Sequence, residues 1–362
     1  MIMLLLTIAA LVSANADRHD SADSPEKRAL AYLAREVPRW STENKCFSCH
    51  NNGDAARALY EAIRLGHAVP APALLKTTQW LARPQEWDHN GGDTRNSDKA
   101  LARIQFAGAL VVALDAGEVK DRQILFRAAE LVSEYQQKDG SWQADANGII
   151  GSPATYGTAL ATQQACRILR RADAKQHHAA IARAERWLLR LEPRSNLDAA
   201  AILLATAEMK SEGTHAREQR CLALIRKGQA PDGGWGPYSR SAPEPFDTAV
   251  VLLALSMPNS RPNVTAMIGR GRKYLVSIQQ ADGSWQETTR PAGGESYAQR
   301  ISTAGWQAWH YLQRTSPQPL TGPHAVRYGR GLRRSSARRL LPDGARVRWP
   351  RCRAARPCPG RG

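Results

Sequence analysis

Tyr135-Gln-Gln-Lys-Asp-Gly-Ser-Trp142, Gln229-Ala-Pro-Asp-Gly-Gly-Trp235 and Ile278-Gln-Gln-Ala-Asp-Gly-Ser-Trp285 are three versions of one phrase. Each couples a Gln to an Asp-Gly turn and a Trp, and internal self-similarity of this kind decides an architecture before local propensity does. The three aspartates stand at 139, 232 and 282, spacings of 93 and 50. The first spacing is close to twice a period of about 47 residues, within the range of helical repeat units. That period predicts a degenerate copy near residue 186, where Trp187-Leu-Leu-Arg-Leu-Glu-Pro-Arg-Ser195 stands. Toward the N-terminus the same step reaches Trp87-Asp-His-Asn-Gly-Gly-Asp93 and then Lys45-Cys-Phe-Ser-Cys-His-Asn-Asn-Gly-Asp54, which share little with the phrase beyond Gly and position.

The stretches around each phrase read as helices of two kinds. Before the turn comes an amphipathic segment, as in Asp121–Tyr135 with its i, i+3, i+4 apolar stripe. After the turn comes a segment apolar on nearly all sides, as in Thr158–Leu169 and Phe246–Leu255; a helix apolar all round is a buried one. Alternating outer and inner helices predicts six hairpins, with inner helices near 54–65, 100–115, 155–170, 197–209, 247–257 and 302–314. The expected fold is all-α, an α/α toroid of about six helical hairpins (an α6/α6 barrel) over residues 24–315. Within the phrase, Asp-Gly permits the tight turn. The Trp covers that turn with its indole N–H on a carbonyl, and the Gln caps a neighbouring helix end. These are structural roles.

The chain has 362 residues, 43% hydrophobic and 23% charged, which excludes a disordered or collagen-like polymer. Its formal charge of +17 is lopsided, because residues 316–362 carry twelve Arg, no Lys and one Asp. The other 315 residues are close to ordinary in charge, so no specific nucleic-acid binding is expected. Residues 316–362 are dense in Arg, Pro and Gly and lack periodicity, as expected of a disordered basic tail. Such a tail suits contact with anionic surfaces, and an out-of-frame extension is an equal reading. Residues 1–16 form a short apolar run ending Ala14-Asn15-Ala16, a signal-peptide pattern that lacks the usual preceding Lys or Arg. A frayed terminus or a misassigned start is the alternative. The run is too short for a transmembrane anchor, no other segment is apolar enough, and the expected location is periplasmic or secreted.

The three Gln–Asp-Gly–Trp segments, each followed by an Ala-rich or Thr-rich apolar helix, resemble the QW repeats of the squalene–hopene cyclase and prenyltransferase superfamily. The resemblance covers residues 120–315 well and 24–120 weakly. It implies the toroid fold and leaves activity open, since that scaffold serves cyclases, prenyltransferase subunits, thioester proteins and binding proteins. The Asp-x-Asp-Asp acid of the class II cyclases is absent, as is the Cys-Gly-Glu-Gln of the thioester proteins. Cys166 and Cys221 lack an obvious acid and His for a prenyltransferase zinc site. Tyr156, Trp306 and Trp309 are the few aromatics on inner helices suited to line a cavity for carbocations.

One motif carries chemistry of its own. Cys46-Phe-Ser-Cys49-His50 is a C-x-x-C-H sequence, the attachment signature of haem c, in which two thiols bond the porphyrin and the imidazole holds the iron. It resembles the site of c-type cytochromes, and its position in the first repeat's turn predicts exposure at one rim. His89, in the equivalent turn of the next hairpin, is the candidate distal ligand, with Met209 and His67 as alternatives. The cysteines could instead form a disulfide, or a metal site with His67 or His89. The reading is therefore an exported toroid carrying haem c, acting in electron transfer or redox-linked binding with an undetermined redox partner. The alternatives are a cyclase-like, prenyltransferase-like or polysaccharide-active enzyme that takes an apolar small molecule in the central cavity, and a non-catalytic ligand-binding scaffold. Minor expectations are a solvated face at His177-His178, a glycosylation sequon at Asn263-Val-Thr265, and i, i+4 pairing among Asp98, Lys99 and Arg103.

Overall fold

Apolar helices with no polar face have to be wrapped by others, and the computed structural model shows how. It describes residues 24–91, 98–144, 156–209, 213–257, 264–288 and 296–313. Among these are twelve α-helices: α1 Pro25–Glu43, α2 Ala56–Arg64, α3 Leu75–Leu81, α4 Lys99–Asp115, α5 Gln123–Ser133, α6 Gly157–Asp173, α7 His178–Arg190, α8 Asn196–Glu208, α9 His215–Gly228, α10 Pro245–Leu255, α11 Thr265–Ser277 and α12 Tyr297–Leu312. A π-helical turn, Cys49–Ala55, leads directly into α2. The even-numbered helices are the inner ones. Every residue of α10 is buried, as is all of α12 from Ile301 onward. Each inner helix packs on the next, and α12 packs back on α2, so the inner ring closes. This is the α/α toroid that the repeat predicts, with inner helices starting within a few residues of the expected positions.

Helix starts follow local chemistry. Ser24 caps α1 by accepting from Lys27 N, with Pro25 at the first helical position. Ser195 and Asp198 form a reciprocal capping box on α8. Asp98 caps α4 by accepting from Leu101 N, and this corrects the expected surface pairing. Arg103 turns the other way, to Asp88 at 2.7 Å and Glu134 at 2.6 Å.

The Gln–Asp-Gly–Trp phrases are the couplings between hairpins. Trp142, Trp235 and Trp285 each bury the indole and donate its N–H to a carbonyl ten residues earlier, on Val132, Ile225 and Leu275, at 2.7–2.8 Å. The Gln side chains reach further than a cap. Gln136 donates to Ala180 O at 2.8 Å, Gln229 to Met267 O at 2.9 Å, and Gln279 to Pro25 O at 2.9 Å. Each acceptor lies in the first turn of the next outer helix. An arginine one turn further on that helix donates back to the Gln amide oxygen: Arg183, Arg270 and Arg28. The third phrase clasps α1, the first outer helix among the described residues. Gly140, Gly233 and Gly283 all sit at positive φ, where L side chains are strained.

The fainter copies differ. Trp187 lies inside α7, not in a turn after it. Trp87 sits in the 3-10 turn Pro84–His89 and donates to Trp80 O at 3.2 Å. His177 is buried beside Ser133, which corrects the expected solvated face, while His178 is exposed. The signal-like run 1–16, the tail 316–362 and Asn263 lie outside the described residues. No described helix is long and apolar enough to cross a membrane.

Candidate functional site

The π-helical turn at 49–55 is the irregular element of the inner ring, and such turns recur at functional sites. It is packed tightly between α4 and α12: a Cβ on Gly53 would meet Gln105 Cβ at 2.9 Å, and one on Gly305 would meet Ala55 Cα at 2.8 Å. Its last turn brings Asp54 and, one turn on, Arg57 to the interior, both nearly inaccessible. Asp54 Oδ2 accepts from Gln105 Nε2 at 2.6 Å and from Ser302 Oγ at 2.7 Å, so one oxygen takes donors from two other inner helices. Asp54 Oδ1 makes no hydrogen bond and lies 3.5 Å from Arg57 Nη2. Burial pushes the Asp54 carboxyl above its ordinary value, while Arg57 and the Ser302, Trp306 and Gln105 side chains oppose that rise.

Around this pair stands an aromatic cluster. Tyr156 and Trp306 meet edge-on at 5.5 Å between centroids and Phe246 and Trp306 at 5.8 Å, while Trp306 and Trp309 are tilted at 5.4 Å. The Arg57 guanidinium lies 4.2 Å over the Trp306 ring and 3.7 Å over Trp309, and donates to Gln164 Oε1 at 3.3 Å. The three inner-helix aromatics singled out in the sequence are thus together, with Phe246 added. Asp54 and Arg57 were not singled out. Their local signal was slight: an acid and a base three residues apart at the head of an inner helix that also carries Glu61 and Arg64.

The C-x-x-C-H residues lie close by, in a different arrangement from the one expected. Cys46 and Cys49 are free thiols, half-buried, and no disulfide joins them. His50 is 6% exposed, not displayed at a rim, and its Nδ1 lies 3.5 Å from Cys49 Sγ. Burial pushes the imidazole down to about 4 and the Cys49 thiol up, so both are neutral. Phe47 stacks on Trp80 at 4.5 Å and its N–H donates to Asn90 O, clamping the segment on the Pro84–His89 turn. A haem needs its proximal imidazole presented to a slot wide enough for the macrocycle, and the enclosed His50 does not fit that requirement. His89 is on the adjacent turn but exposed. His67 pairs with Glu26 at 3.2 Å, and Met209 lies at the C-terminal end of α8. Cys166 is buried with its thiol pushed up to about 12, and Cys221 is buried in α9. No cluster of three or more His, Cys, Asp or Glu side chains among the described residues could hold a metal ion.

Comparison with known proteins bears on the fold. Residues 191–329 match the family model of the squalene-hopene cyclase C-terminal domain. A drimenyl diphosphate synthase of Streptomyces showdoensis is 34% identical over 76 residues, 21% of this chain and 14% of that protein. The chain thus aligns with about a seventh of that curated relative's length. Among solved structures, the type II terpene cyclase MstE from Scytonema superposes with a TM-score of 0.53 at 12% identity, covering 80% of this chain and 98% of that one. An arginine-to-alanine variant of it, in complex with its substrate geranylgeranyl dihydroxybenzoate, gives 0.51 at 13% identity with the same coverage. The fold is the terpene-cyclase toroid, and the cyclase-like resemblance of the repeats holds.

Proposed function

We propose that the ring interior is the active site of a cyclase-like enzyme, in which Asp54 protonates a carbon–carbon double bond of an isoprenoid chain. The observation that carries this is the asymmetry of the buried carboxyl. The Gln105 and Ser302 donors crowd Oδ2, burial favours the neutral acid, and Oδ1 is left to bear the proton beside the aromatic cluster. In the step proposed, the Oδ1–H bond breaks as a C–H bond forms on one alkene carbon, and the positive charge is left on the other. A neighbouring alkene closes a ring onto that carbon, and loss of a proton at the end restores neutrality, so the net reaction is an isomerisation. Arg57, 3.5 Å from Oδ1, faces the carboxylate that remains, and the Tyr156 and Phe246 rings offer negative faces to the cation. The isoprenoid class rests on the terpene-cyclase fold and on the substrates named for its relatives.

The residues do not fit a haem as folded, so no electron-transfer step is assigned to Cys46, Cys49 and His50. A second reading has one specific support: Arg57 is a permanent cation that already lies over Trp306 and Trp309, which suits an anion-binding scaffold. Export stays part of the proposal on the strength of Ala14-Asn15-Ala16 alone.

The deciding experiment incubates the full chain in D2O with C15 and C20 isoprenyl diphosphates and with squalene, followed by mass spectrometry. Expected is a cyclic product carrying one deuterium, with turnover at least ~100-fold lower in Asp54→Asn. Product formed equally well by the variant would sink the assignment.

A further inference from the structure

On the outside of the ring, the turn Gln136–Trp142 and the exposed face of α7 enclose a groove of about 420 Å³ lined by Lys138, Asp139, Arg183, Arg186, Trp187, Arg190 and Leu191. Four of its seven side chains are cationic and one is acidic. That one carboxylate is already engaged. Asp139 accepts from the Ser141 backbone N–H and hydroxyl at 2.9 and 2.8 Å, and these bonds, with the Trp187 indole, hold it below its ordinary value. Arg183 is likewise held by Gln136. Among the described residues, Lys138, Arg186 and Arg190 have neither hydrogen-bond nor ion-pair partners, so three of the groove's four cations are uncompensated.

The repeat supplies the control. Counting from the arginine that clasps the Gln, the next helix carries residues at +3, +4 and +7 along one face. In α7 these are Arg186, Trp187 and Arg190. In α11 they are Lys273, Tyr274 and Ser277; in α1 they are Ala31, Tyr32 and Arg35. The +4 position is always aromatic, but Tyr274 and Tyr32 are buried while Trp187 is partly open. Arg35 is tied to Glu36 at 2.7 Å. Holding the repeat together therefore does not call for the α7 set. Two guanidinium groups one turn apart, an ammonium facing them and an apolar floor of Trp187 and Leu191 match a multivalent anion with an apolar body. A single carboxylate would leave most of the charge unmatched, whereas phosphate oxygens accept the guanidinium fork bidentately.

We propose that the groove between the 136–142 turn and α7 binds a phosphate- or diphosphate-bearing small molecule, its anionic end on Arg186, Arg190 and Lys138 and its apolar body on Trp187 and Leu191. The site is independent of Asp54 and of any chemistry in the ring.

The test is calorimetric titration of the full chain at low salt with inorganic diphosphate, hexyl phosphate and hexanoate. The same titrations are run on Arg186→Gln/Arg190→Gln and on Lys138→Gln, whose circular dichroism and melting should match the parent. Expected is saturable binding of diphosphate and hexyl phosphate in preference to hexanoate, weakened about tenfold by the double substitution and by added salt. Trp187→Ala should weaken hexyl phosphate more than diphosphate. Binding left unchanged in the groove variants would assign it to the Arg-rich tail and overturn the proposal. Absence of saturation with either phosphate would also overturn it. So would groove-dependent binding to phosphatidylglycerol vesicles without binding of the soluble phosphates, which would make the face a lipid-surface contact.

Discussion

Asp54 and His50 lie one turn apart on the same π-helical segment, and burial pushes their titrations in opposite directions with opposite consequences for stability. His50 has a folded value of about 4 against 6.5 for a free imidazole, so between those pH values the unfolded chain binds the extra proton. Stability therefore rises with pH across about 4 to 6.5 and is lost as pH falls through that window, by up to about 3 kcal/mol at 1.36 kcal/mol per pH unit. Asp54, raised in the folded state, opposes this within the same window up to its own folded value, so the His50 contribution is the difference between the parent and a variant without the imidazole. Urea midpoints from pH 4 to 7 should lose more stability toward acid in the parent than in His50→Leu; parallel profiles would place the titrating group elsewhere. The same burial argues against the cytochrome-like reading of Cys46-Phe-Ser-Cys49-His50. Protein made with a c-type maturation system is expected to give no covalent pyridine haemochrome spectrum, and a spectrum lost in Cys46→Ala/Cys49→Ala would reverse that conclusion. The motif was legible but its expected exposure was not, because spacing in sequence says nothing of which side of a helix faces the core. Asp54 and Arg57 were legible only in hindsight, since their pairing depends on Gln105 and Ser302, which come from other hairpins and carry no local signature.

At the scale of elements, the Gln–Asp-Gly–Trp phrase was the most readable part of the chain, because its turn and its indole act within one hairpin. Its longer-range half was not readable: the Gln acts on a helix whose distance in sequence differs each time, 44 residues for Gln136 but 254 for Gln279. The short 3-10 segments and the π-turn were missed because their hydrophobic period matches neither template. Trp187 was misplaced because an aromatic at the right interval was taken for a turn residue. The glycine of the phrase makes a sharp prediction. Gly283 has φ +92 and a Cβ there would fall 2.3 Å from Arg28 O, whereas Gly66 has φ +85 with open space around it. Gly66→Ala should cost about 1 kcal/mol, the left-handed penalty alone. Gly283→Ala should cost more, because α1 must also move; equal losses in melting experiments would show that the clasp has slack.

For the whole molecule, closure of the ring is the property that matters. In an open array each repeat answers only to its neighbours and the ends fray. Here the last phrase holds the first helix through Gln279, Pro25 and Arg28, and α12 packs on α1 and α2. Damage at this seam should therefore be felt everywhere. Gln279→Ala and Arg28→Ala should be non-additive in a double-mutant cycle, and each should lower a single cooperative transition seen alike by circular dichroism and tryptophan fluorescence. Two separated transitions would show that the seam is dispensable. The seam also sets a timetable for biosynthesis. Among the described helices the first, α1, leaves the ribosome some 250 residues before the Gln279 that holds it. At 5–20 residues per second that is a wait of about 10–50 s, during which α1, whose Leu30, Leu33 and Val37 are buried at the end, has α2 and the π-helical turn to pack on but not α12. In a nascent chain of this design α1 waits half-covered, and the inner ring cannot close until α12 has been made.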